Sequence, residues 1–311
     1  MIGLVNLGGT CFLNSILQLL RATGILASPL ALANPLAAEL RDIFATLDAG
    51  RPVAPDALRA TLQRMQAVAG ARFRIFQPND LHEFYVLLAD VLTAAPGSPA
   101  PPPGLAGEAA AAWQACLRGN AGALAPAFFG LFRRDVRCGR CDARYENHET
   151  FSTIPLDLPT EDAAPTSLKA LLAAHSAERD INADGGTWKC DRCGAVGAPA
   201  IARTSLVRAP DVFVFALNRY TGCRRVVAFP PAFNLAPGNG EGVVRYRCAG
   251  AAMHVGGASG GHCFAAAAAP DGRWALFDDD AVAGLAGPPA DSPDVQLLAY
   301  ALPEQKKGVL P

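Results

Sequence analysis

Near its N-terminus the chain reads Gly3-Leu4-Val5-Asn6-Leu7-Gly8-Gly9-Thr10-Cys11-Phe12-Leu13-Asn14-Ser15-Ile16-Leu17-Gln18-Leu19-Leu20. Apolar residues recur with helical spacing after a glycine-rich turn, so a buried helix is predicted to begin near Thr10 or Cys11. Unpaired N–H groups and the helix dipole at that end favour the thiolate, which is the nucleophilic form of cysteine. Asn6, across the turn, is a candidate oxyanion donor. The alternative is a buried structural cysteine, the commoner role of a free cysteine.

The composition indicates a folded protein of one or two domains, with 311 residues, 51% hydrophobic and 18% charged. A formal net charge of −1 gives no reason to expect a nucleic-acid or membrane partner. The N-terminus lacks the basic flank of a secretory signal, and no apolar run approaches the length that spans a bilayer. Nine cysteines, an odd number, fit a reducing compartment better than a disulfide scaffold, so we expect the cytoplasm or the nucleus.

Helical patterns continue over residues 30–92, and the last of these helices is predicted to begin near Asp80, with Asn79 or Asp80 as its N-cap. Asp80 and Glu83 lie three residues apart and so share one side of the first turn. They are interpreted either as a capping pair, which the helix dipole favours, or as an acidic clamp for a basic substrate tail. The Ala/Pro-rich tract over residues 94–112 is predicted to be an irregular surface insertion.

Two cysteine pairs of identical spacing lie in the strand-rich part of the chain, Cys138-Gly139-Arg140-Cys141 and Cys190-Asp191-Arg192-Cys193. Two thiolates three residues apart on a tight turn can bind one metal ion, and two such turns complete a tetrahedral shell. Cys138, Cys141, Cys190 and Cys193 are therefore predicted to hold one structural Zn²⁺. The alternative is the remnant of a zinc site that no longer holds metal.

A histidine and a carboxylate are paired in the last informative block. His262 follows a glycine-rich loop at the start of a predicted strand, and Asp278 ends the neighbouring strand. Cross-strand neighbours in such a hairpin place the carboxylate beside the imidazole. A cysteine nucleophile needs a histidine base and the base needs an orienting group, so these two residues supply the partners that Cys11 lacks. By itself, a histidine beside glycine is interpreted as an ordinary surface residue.

Taken in this order, these blocks resemble the catalytic domain of the ubiquitin-specific proteases, a family of papain-like cysteine proteases. The likeness spans nearly the whole chain. The segments that carry it are residues 6–15 (family pattern N-L-G-N-T-C-Y/F-M/L-N-S), residues 79–84 (Q-D-A-H/Q-E-F), Gly261-His262 with Trp274 and Phe277-Asp278-Asp279 (G-G-H-Y…W-Y-x-F-D-D), and residues 298–302 (A-Y-x-L-F-Y).

The resemblance implies an α+β fold with a thumb–palm–fingers arrangement in a single catalytic domain over residues 1–311. We expect a helical thumb over residues 1–127, β fingers with the zinc site over residues 128–220, and a β palm over residues 221–303. The resemblance also implies a cysteine-type deubiquitinase, which hydrolyses the isopeptide or peptide bond at the C-terminal glycine of ubiquitin. No catalytic cofactor is expected.

The resemblance further implies a role for each candidate residue. Cys11 is expected to be the nucleophile, His262 the base, Asp278 the residue that orients the base, and Asn6 the oxyanion donor. Asp80 and Glu83 match the family positions that contact the arginines of the ubiquitin tail, which favours the clamp over the simple capping pair.

The sequence departs from the family pattern at several positions around the site. Gly9 stands where asparagine is usual, and Cys263 stands where an aromatic residue usually follows the histidine. Alanines over residues 265–269 replace bulkier strand residues, so we expect looser packing behind His262.

Three alternative functions stay open from the sequence. The first is the same chemistry on another ubiquitin-like modifier, since an acidic clamp suits any tail that contains arginine. The second is a catalytically silent scaffold that binds ubiquitin, which the intact triad disfavours. The third is a zinc-ribbon module for nucleic acid, which the near-neutral charge disfavours. We expect a monomer that binds ubiquitin or ubiquitinated proteins, with substrate choice supplied by a separate targeting partner or by the insertion.

Overall fold

A computed structural model describes residues 1–70, 74–77, 79–159, 166–183, 185–219, 223–236, 243–257 and 260–303. Two short 3₁₀ helices, Ile25–Ala27 and Pro29–Ala33, follow the first α-helix. None of the helices in these ranges is both long enough and apolar enough to cross a bilayer. The α-helices of the described residues are α1 (Cys11–Thr23), α2 (Pro35–Asp48), α3 (Pro55–Ala69), α4 (Leu81–Thr93), α5 (Gly107–Cys116), α6 (Ala125–Phe128) and α7 (Leu168–Ser176).

Helix α1 begins at Cys11, as the glycine-rich turn and the apolar periodicity predict. Gly8 and Gly9 precede it with positive φ angles of 99° and 67°, a backbone region that glycine enters at little cost. Asparagine is the residue that most readily replaces glycine there, so the change at Gly9 preserves the turn. The helix ends at Gly24, whose left-handed conformation lets its N–H donate to the Arg21 carbonyl oxygen.

Most strands follow the first six helices. They are β1 (Gly130–Cys138), β2 (Arg144–Phe151), β3 (Ile154–Asp157), β4 (Thr166–Ser167), β5 (Arg179–Asp180), β6 (Ala200–Arg208), β7 (Val212–Asn218), β8 (Val227–Ala228), β9 (Ala232–Leu235), β10 (Val244–Gly257), β11 (Gly260–Ala268), β12 (Trp274–Asp278), β13 (Ala281–Leu285) and β14 (Val295–Ala301).

These strands form a large sheet, a four-stranded sheet and one small pair. The large sheet has the order β13-β12-β11-β10-β14-β7-β3, with β9 also paired to β10. Its neighbours are antiparallel except β3 and β7, which run parallel. The four-stranded sheet has the order β2-β1-β6-β5, and β4 pairs with β8.

The large sheet is covered by apolar residues on both faces. On one face, α1 packs against β10, β11, β12 and β14, and α4 packs against α1 and β14. Residues 12–20 of α1 are buried, as expected for a helix with protein on nearly all sides. The other face holds a cluster rich in aromatic residues, including Phe213, Phe215, Tyr246 and Tyr300. Helix α1 is therefore held in a fixed position against the strands that carry the other candidate residues.

Two sequence predictions are refined by the structure. The tract over residues 94–112 is not irregular throughout, because α5 begins at Gly107. The alanine-rich sequence favours a helix there, and the fully buried Trp113 fixes it to the protein, with the Arg208 guanidinium 5.0 Å from its ring centre. Strands β3 and β7 fall in the range expected for the fingers but pair within the large sheet, so the regions interleave along the chain.

Candidate active site

Cys11 lies half-buried at the first position of α1 and lines a cleft of about 650 Å³. Its pKa is lowered to about 5, well below the usual value of about 8.5. The largest cause is a hydrogen bond from the Cys263 side chain, which outweighs the opposing effect of burial. The Cys263 backbone N–H and the charge of His262 lower the pKa further, whereas Asp279 raises it. At neutral pH the sulfur is therefore a thiolate.

The pairing of β11 with β12 brings His262 and Asp278 together. The ladder between the two strands begins at Ala265 and Phe277, which places Asp278 diagonally across from His262. The Nε2 atom of His262 is hydrogen-bonded to Oδ1 of Asp278. This bond is the main reason that the pKa of His262 is raised, and the charge of Cys11 adds to the effect. The ring therefore favours its protonated form beside the Cys11 thiolate.

The side chain of Asn6 folds back over the glycine turn. Its Oδ1 accepts hydrogen bonds from the backbone N–H groups of Gly8 (2.9 Å) and Thr10 (3.2 Å). Its Nδ2 donates to Oδ2 of Asp279 at 2.9 Å. An amide nitrogen carries two hydrogens, so one N–H of Asn6 remains after the bond to Asp279.

Asp279 is a site residue that the sequence reasoning missed. Its carboxylate accepts from Asn6 and, through Oδ1, from Nδ2 of the buried Asn14 at 2.8 Å. Its carbonyl oxygen accepts from the N–H of Leu4 at 2.9 Å, and its φ angle is 53°. Asp279 thus holds the N-terminal segment, the glycine turn and α1 against the end of β12. The sequence contained one signal of this contact: the polar residue Asn14 lies within the apolar pattern of α1 and so needs a hydrogen-bond partner.

The alanines behind His262 are well covered. Ala265 and Ala266 are 0% exposed, and Ala267 is 2% exposed. Strand β11 pairs on both sides, with β10 and with β12. The small side chains let α1 lie close to the sheet, since Leu19 of that helix approaches Gly250 of β10.

Asp80 reaches the cleft and also caps α4. Its Oδ1 accepts from the N–H groups of His82 (2.8 Å) and Glu83 (3.0 Å), which is the capping arrangement predicted from the sequence. Asp80 lines the same cleft as Cys11, whereas Glu83 is exposed and lies outside the cleft lining. Capping and substrate binding are compatible, because the second oxygen of Asp80 is not used by the cap.

His82 stands beside Asp80 on the wall of the cleft. Its Nε2 lies 2.7 Å from Oγ1 of Thr153, which joins α4 to the segment before β3. Burial lowers the pKa of His82 and outweighs the opposing charges of Asp80 and Glu83. The ring is therefore neutral at physiological pH and places no positive charge beside Asp80.

The opposite wall of the cleft contains an ion pair. Arg224 Nη2 lies 2.8 Å from Oδ1 of Asp294, and both residues line the cleft. Arg219, on the same wall, donates to the carbonyl oxygens of Val295 (2.7 Å) and Cys223 (2.8 Å). The lining of the cleft thus combines Cys11 with charged and polar side chains from several elements.

The four cysteines of the two predicted pairs form a separate cluster. All four sulfur atoms lie within 4.8 Å of one another. The contact between Cys138 and Cys193 is 3.9 Å, and that between Cys141 and Cys190 is 3.6 Å. Tetrahedral coordination with metal–sulfur bonds of about 2.3 Å places sulfurs about 3.8 Å apart. The cluster can therefore hold a metal ion.

Both cysteine turns have the same local form. Asp142 (φ 55°) follows the first pair and Gly194 (φ 70°) follows the second, each in the left-handed conformation. The N–H of Asp142 donates to the Cys138 carbonyl oxygen, and the N–H of Gly194 donates to the Cys190 carbonyl oxygen. The turns thus direct the two pairs towards one point at the end of the four-stranded sheet.

The structure brings the sequence-predicted residues together in two places. Near the start of α1, His262 is hydrogen-bonded to Asp278 and acts electrostatically on Cys11, and Asn6 is hydrogen-bonded to Asp279. Cys11 and Asp80 line one cleft. The four cysteines form a separate cluster, in the turns that follow β1 and precede β6. Besides Asp279, sequence reasoning missed the effect of Cys263 on the pKa of Cys11, although it singled out Cys263 as unusual.

Comparison with known proteins gives consistent results. The chain matches the ubiquitin carboxyl-terminal hydrolase family over residues 2–300. Probable ubiquitin carboxyl-terminal hydrolase 16 of Schizosaccharomyces pombe is 25% identical over 311 residues, covering 90% of this chain and 62% of that protein. Ubiquitin carboxyl-terminal hydrolase 23 of Arabidopsis thaliana is 28% identical over 301 residues, which cover 90% of this chain and 33% of that protein. The chain thus spans from about a third to about three fifths of the length of these relatives.

Solved structures show the same fold. A SAGA Ubp8/Sgf11/Sus1/Sgf73 DUB module bound to ubiquitin aldehyde contains a chain that matches with a TM-score of 0.67 and 17% identity. The match covers 98% of this chain and 70% of that chain. A chain of the module bound to monoubiquitin matches with a TM-score of 0.67 and 18% identity, and the match covers 98% of this chain and 69% of that chain. The α+β thumb–palm–fingers fold expected from the sequence is confirmed.

Proposed function

The chain belongs to the ubiquitin carboxyl-terminal hydrolase family, and on that basis we propose that it is a cysteine-type deubiquitinase. The reaction is hydrolysis of the isopeptide or peptide bond that follows the C-terminal glycine of ubiquitin. One observation carries the proposal: Cys11, whose pKa is lowered to about 5, lines a cleft together with Asp80, and the charge of His262, which is hydrogen-bonded to Asp278, contributes to that lowering.

We assign the chemical steps to these residues as follows. The Cys11 thiolate attacks the glycine carbonyl carbon, and Asn6 Nδ2 donates a hydrogen bond to the oxyanion that forms. His262, held by Asp278, gives its proton to the departing amine as the carbon–nitrogen bond breaks. Water then attacks the resulting thioester while His262 takes a proton from it, which releases the ubiquitin carboxylate and restores the Cys11 thiolate. These steps use protein side chains and water and need no catalytic cofactor.

Asp80 and Glu83 are proposed to bind the arginines of the ubiquitin tail, with Asp80 contributing more because it lines the cleft. Capping and binding can be separated by mutation. Asp80→Asn and Asp80→Ser keep an N-cap but lose the charge, whereas Asp80→Ala loses both. We expect the first two variants to raise the KM for a ubiquitin substrate at a wild-type melting temperature. A wild-type KM in both would remove Asp80 from the binding site.

The metal held by Cys138, Cys141, Cys190 and Cys193 is proposed to be one structural Zn²⁺. Four thiolates in a closed tetrahedral arrangement are a typical ligand set for structural zinc. The two cysteine turns follow β1 and precede β6, so the metal would join segments that are distant in sequence and stabilise that end of the sheet.

Ubiquitin and ubiquitinated proteins are the proposed partners, since two structural neighbours are described as bound to monoubiquitin or ubiquitin aldehyde. Those neighbours belong to a four-protein module, which supports the proposal of a separate targeting partner. A monomeric catalytic unit in the cytoplasm or nucleus stays our proposal, and the nine free cysteines of the chain support a reducing compartment.

The test is turnover of ubiquitin carrying a fluorogenic group on its C-terminal glycine. We expect hydrolysis by the wild type, none by Cys11→Ala, and wild-type rates from the exposed Cys116→Ala, which controls for loss of a thiol. Equal rates in wild type and Cys11→Ala would reject the proposal. Substrates made from other ubiquitin-like proteins identify the modifier, and ubiquitin binding without turnover would indicate a scaffold.

A further inference from the structure

A second cleft lies at the end of α1 away from Cys11. Its volume is about 1010 Å³, larger than the cleft of about 650 Å³ that Cys11 lines. The last turn of α1 forms part of its wall, and a rise of 1.5 Å per residue places Thr23 about 18 Å from Cys11 along the helix. We call this cleft the rear groove, and its lining includes Arg21, Arg41, Phe44, Asp48, Arg247 and Trp274.

The rear groove also contacts the strands of the other candidate catalytic residues, at the ends that lie away from those residues. Strand β11 carries His262 near its start and reaches the groove at Ala268, its last residue. Strand β12 begins in the groove with Trp274 and carries Asp278 at its other end. A molecule bound in the groove would therefore leave the cleft of Cys11 open to substrate.

Positive charge predominates among the side chains of the rear groove. Arg41 of α2 and Arg247 of β10 line it, and within the described ranges neither side chain makes an ion pair. Arg21 is paired with Asp48, whose carboxylate lies 2.8 Å away. Asp48 is the only carboxylate among the described residues of the lining, so the groove has an excess of two positive charges.

Much of the remaining lining is apolar. Trp274 is partly exposed, and Phe44 and Leu302 are buried behind the surface. Several prolines complete the wall, and their rings lose almost no side-chain entropy when a ligand covers them. Tryptophan and arginine are also the residue types that most often dominate the energy of protein interfaces. The groove thus suits a ligand that combines carboxylates with apolar side chains. The prolines are Pro231, Pro270, Pro288 and Pro303.

We propose that the rear groove is a docking site for an acidic segment of a partner protein. Carboxylates of the segment pair with Arg41 and Arg247, and an apolar side chain packs against Trp274. A guanidinium binds a carboxylate through two parallel N–H donors, which makes arginine well suited to this contact. The volume is at the upper limit of small-molecule sites and fits a peptide of several residues.

Two other occupants match the groove less well. Residues 304–311 of the chain follow Pro303, which lines the groove, but they contain two lysines and one glutamate and so do not complement its charge. A nucleic acid would offer phosphates to the arginines, but the Asp48 carboxylate and the proline-rich wall are unfavourable for it. The formal net charge of −1 also gives little long-range attraction for a polyanion.

The experiment is fluorescence anisotropy with a fluorescein-labelled peptide, Glu-Glu-Leu-Glu-Glu-Leu-Glu-Glu, and with a control peptide in which glutamine replaces each glutamate. The wild type should bind the acidic peptide about tenfold more tightly than the control peptide. The double variant Arg41→Gln/Arg247→Gln should lose about tenfold in affinity for the acidic peptide, since each exposed ion pair contributes about two- to fivefold. The matched variant Arg118→Gln/Arg144→Gln removes the same charge from exposed arginines outside the groove and should bind like the wild type.

A second readout needs no variant. Trp113 is fully buried and Trp188 packs against the cysteine cluster, so a change of tryptophan emission on adding unlabelled acidic peptide reports on Trp274. Unchanged emission would contradict the apolar contact.

Equal affinity for the two peptides, or equal losses in the two double variants, would overturn the proposal. Tighter binding of a fluorescein-labelled six-nucleotide oligothymidylate would also overturn it and assign the groove to nucleic acid. These measurements need neither ubiquitin nor a functional Cys11. The proposal therefore stands or fails independently of the deubiquitinase proposal.

Discussion

Replacing Asp279 with alanine should lower both stability and turnover, and the size of each effect follows from the contacts of its carboxylate. The bond from the buried Asn14 joins an amide to a charged acceptor, so its loss costs about 2 kcal/mol. The exposed bond from Asn6 contributes about 1 kcal/mol. The unfolding free energy of Asp279→Ala should therefore fall by about 3 kcal/mol. For a chain of 311 residues this lowers the melting temperature by about 5 °C.

Turnover should fall because Asn6 loses the group that orients its amide. Removing an oxyanion donor costs about 10²–10³ in kcat, and a loosened donor should cost about 10- to 100-fold. The same substitution should favour the thiolate form of Cys11, so a loss of ionisation cannot explain the fall in turnover. Asp279 raises the pKa of Cys11, so its removal lowers that pKa, and the thiolate stays fully formed at neutral pH. A fall in kcat together with a lower pKa for the alkylation of Cys11 would assign the defect to positioning.

The matched control is Asp280→Ala, which removes an exposed carboxylate one residue further along. It changes the net charge equally but leaves the bonds to Asn6 and Asn14 in place. Calorimetry and hydrolysis of the fluorogenic ubiquitin substrate measure both effects. The reasoning is refuted if Asp279→Ala keeps the wild-type kcat, or if both variants lose the same activity.

Three further predictions concern the N-terminal segment, the cysteine cluster and the base. Gly3→Ala would place a Cβ atom 2.2 Å from the Asp279 carbonyl oxygen, and the strain of about 1–3 kcal/mol should lower the melting temperature by about 2–5 °C. Gly284→Ala, whose added Cβ meets nothing within 4 Å, should melt like the wild type, and equal melting of the two would contradict the clash. Elemental analysis should find one zinc per chain, lost in Cys190→Ala and kept in Cys116→Ala; a metal-free wild type that melts normally would exclude a structural role. Asp278→Asn removes the main cause of the raised pKa of His262, so the imidazolium is lost at lower pH. The alkaline limb of kcat/KM should move to lower pH, and an unmoved limb would show that Asp278 does not set this pKa.

Local patterns in the sequence were sufficient to place the starts of α1 and α4. A glycine pair followed by apolar periodicity defines the start of α1, and the Asp80 carboxylate that caps α4 lies within three residues of the N–H groups it accepts from. The cysteine pairs were equally local, because each turn is built from adjacent residues. Such features depend on residues that are close in sequence, so they can be predicted from the sequence alone.

The contacts that complete the site depend on tertiary structure. Asp279 receives hydrogen bonds from Asn6 and Asn14, near the opposite end of the chain, and its left-handed conformation is not marked by glycine. The effect of Cys263 on the pKa of Cys11 requires β11 to pack against α1. The parallel pairing of β3 with β7 likewise depends on how the chain returns after the four-stranded sheet. No local pattern encodes these distances.

A ubiquitin probe with an electrophile in place of its C-terminal carboxylate tests most directly whether Cys11 is the nucleophile of a deubiquitinase. Mass spectrometry of the labelled protein should show one covalent ubiquitin per chain, attached at Cys11. Labelling should disappear in Cys11→Ala and persist in Cys116→Ala. Labelling at another cysteine, or none in a folded wild-type protein that binds ubiquitin, would contradict the account.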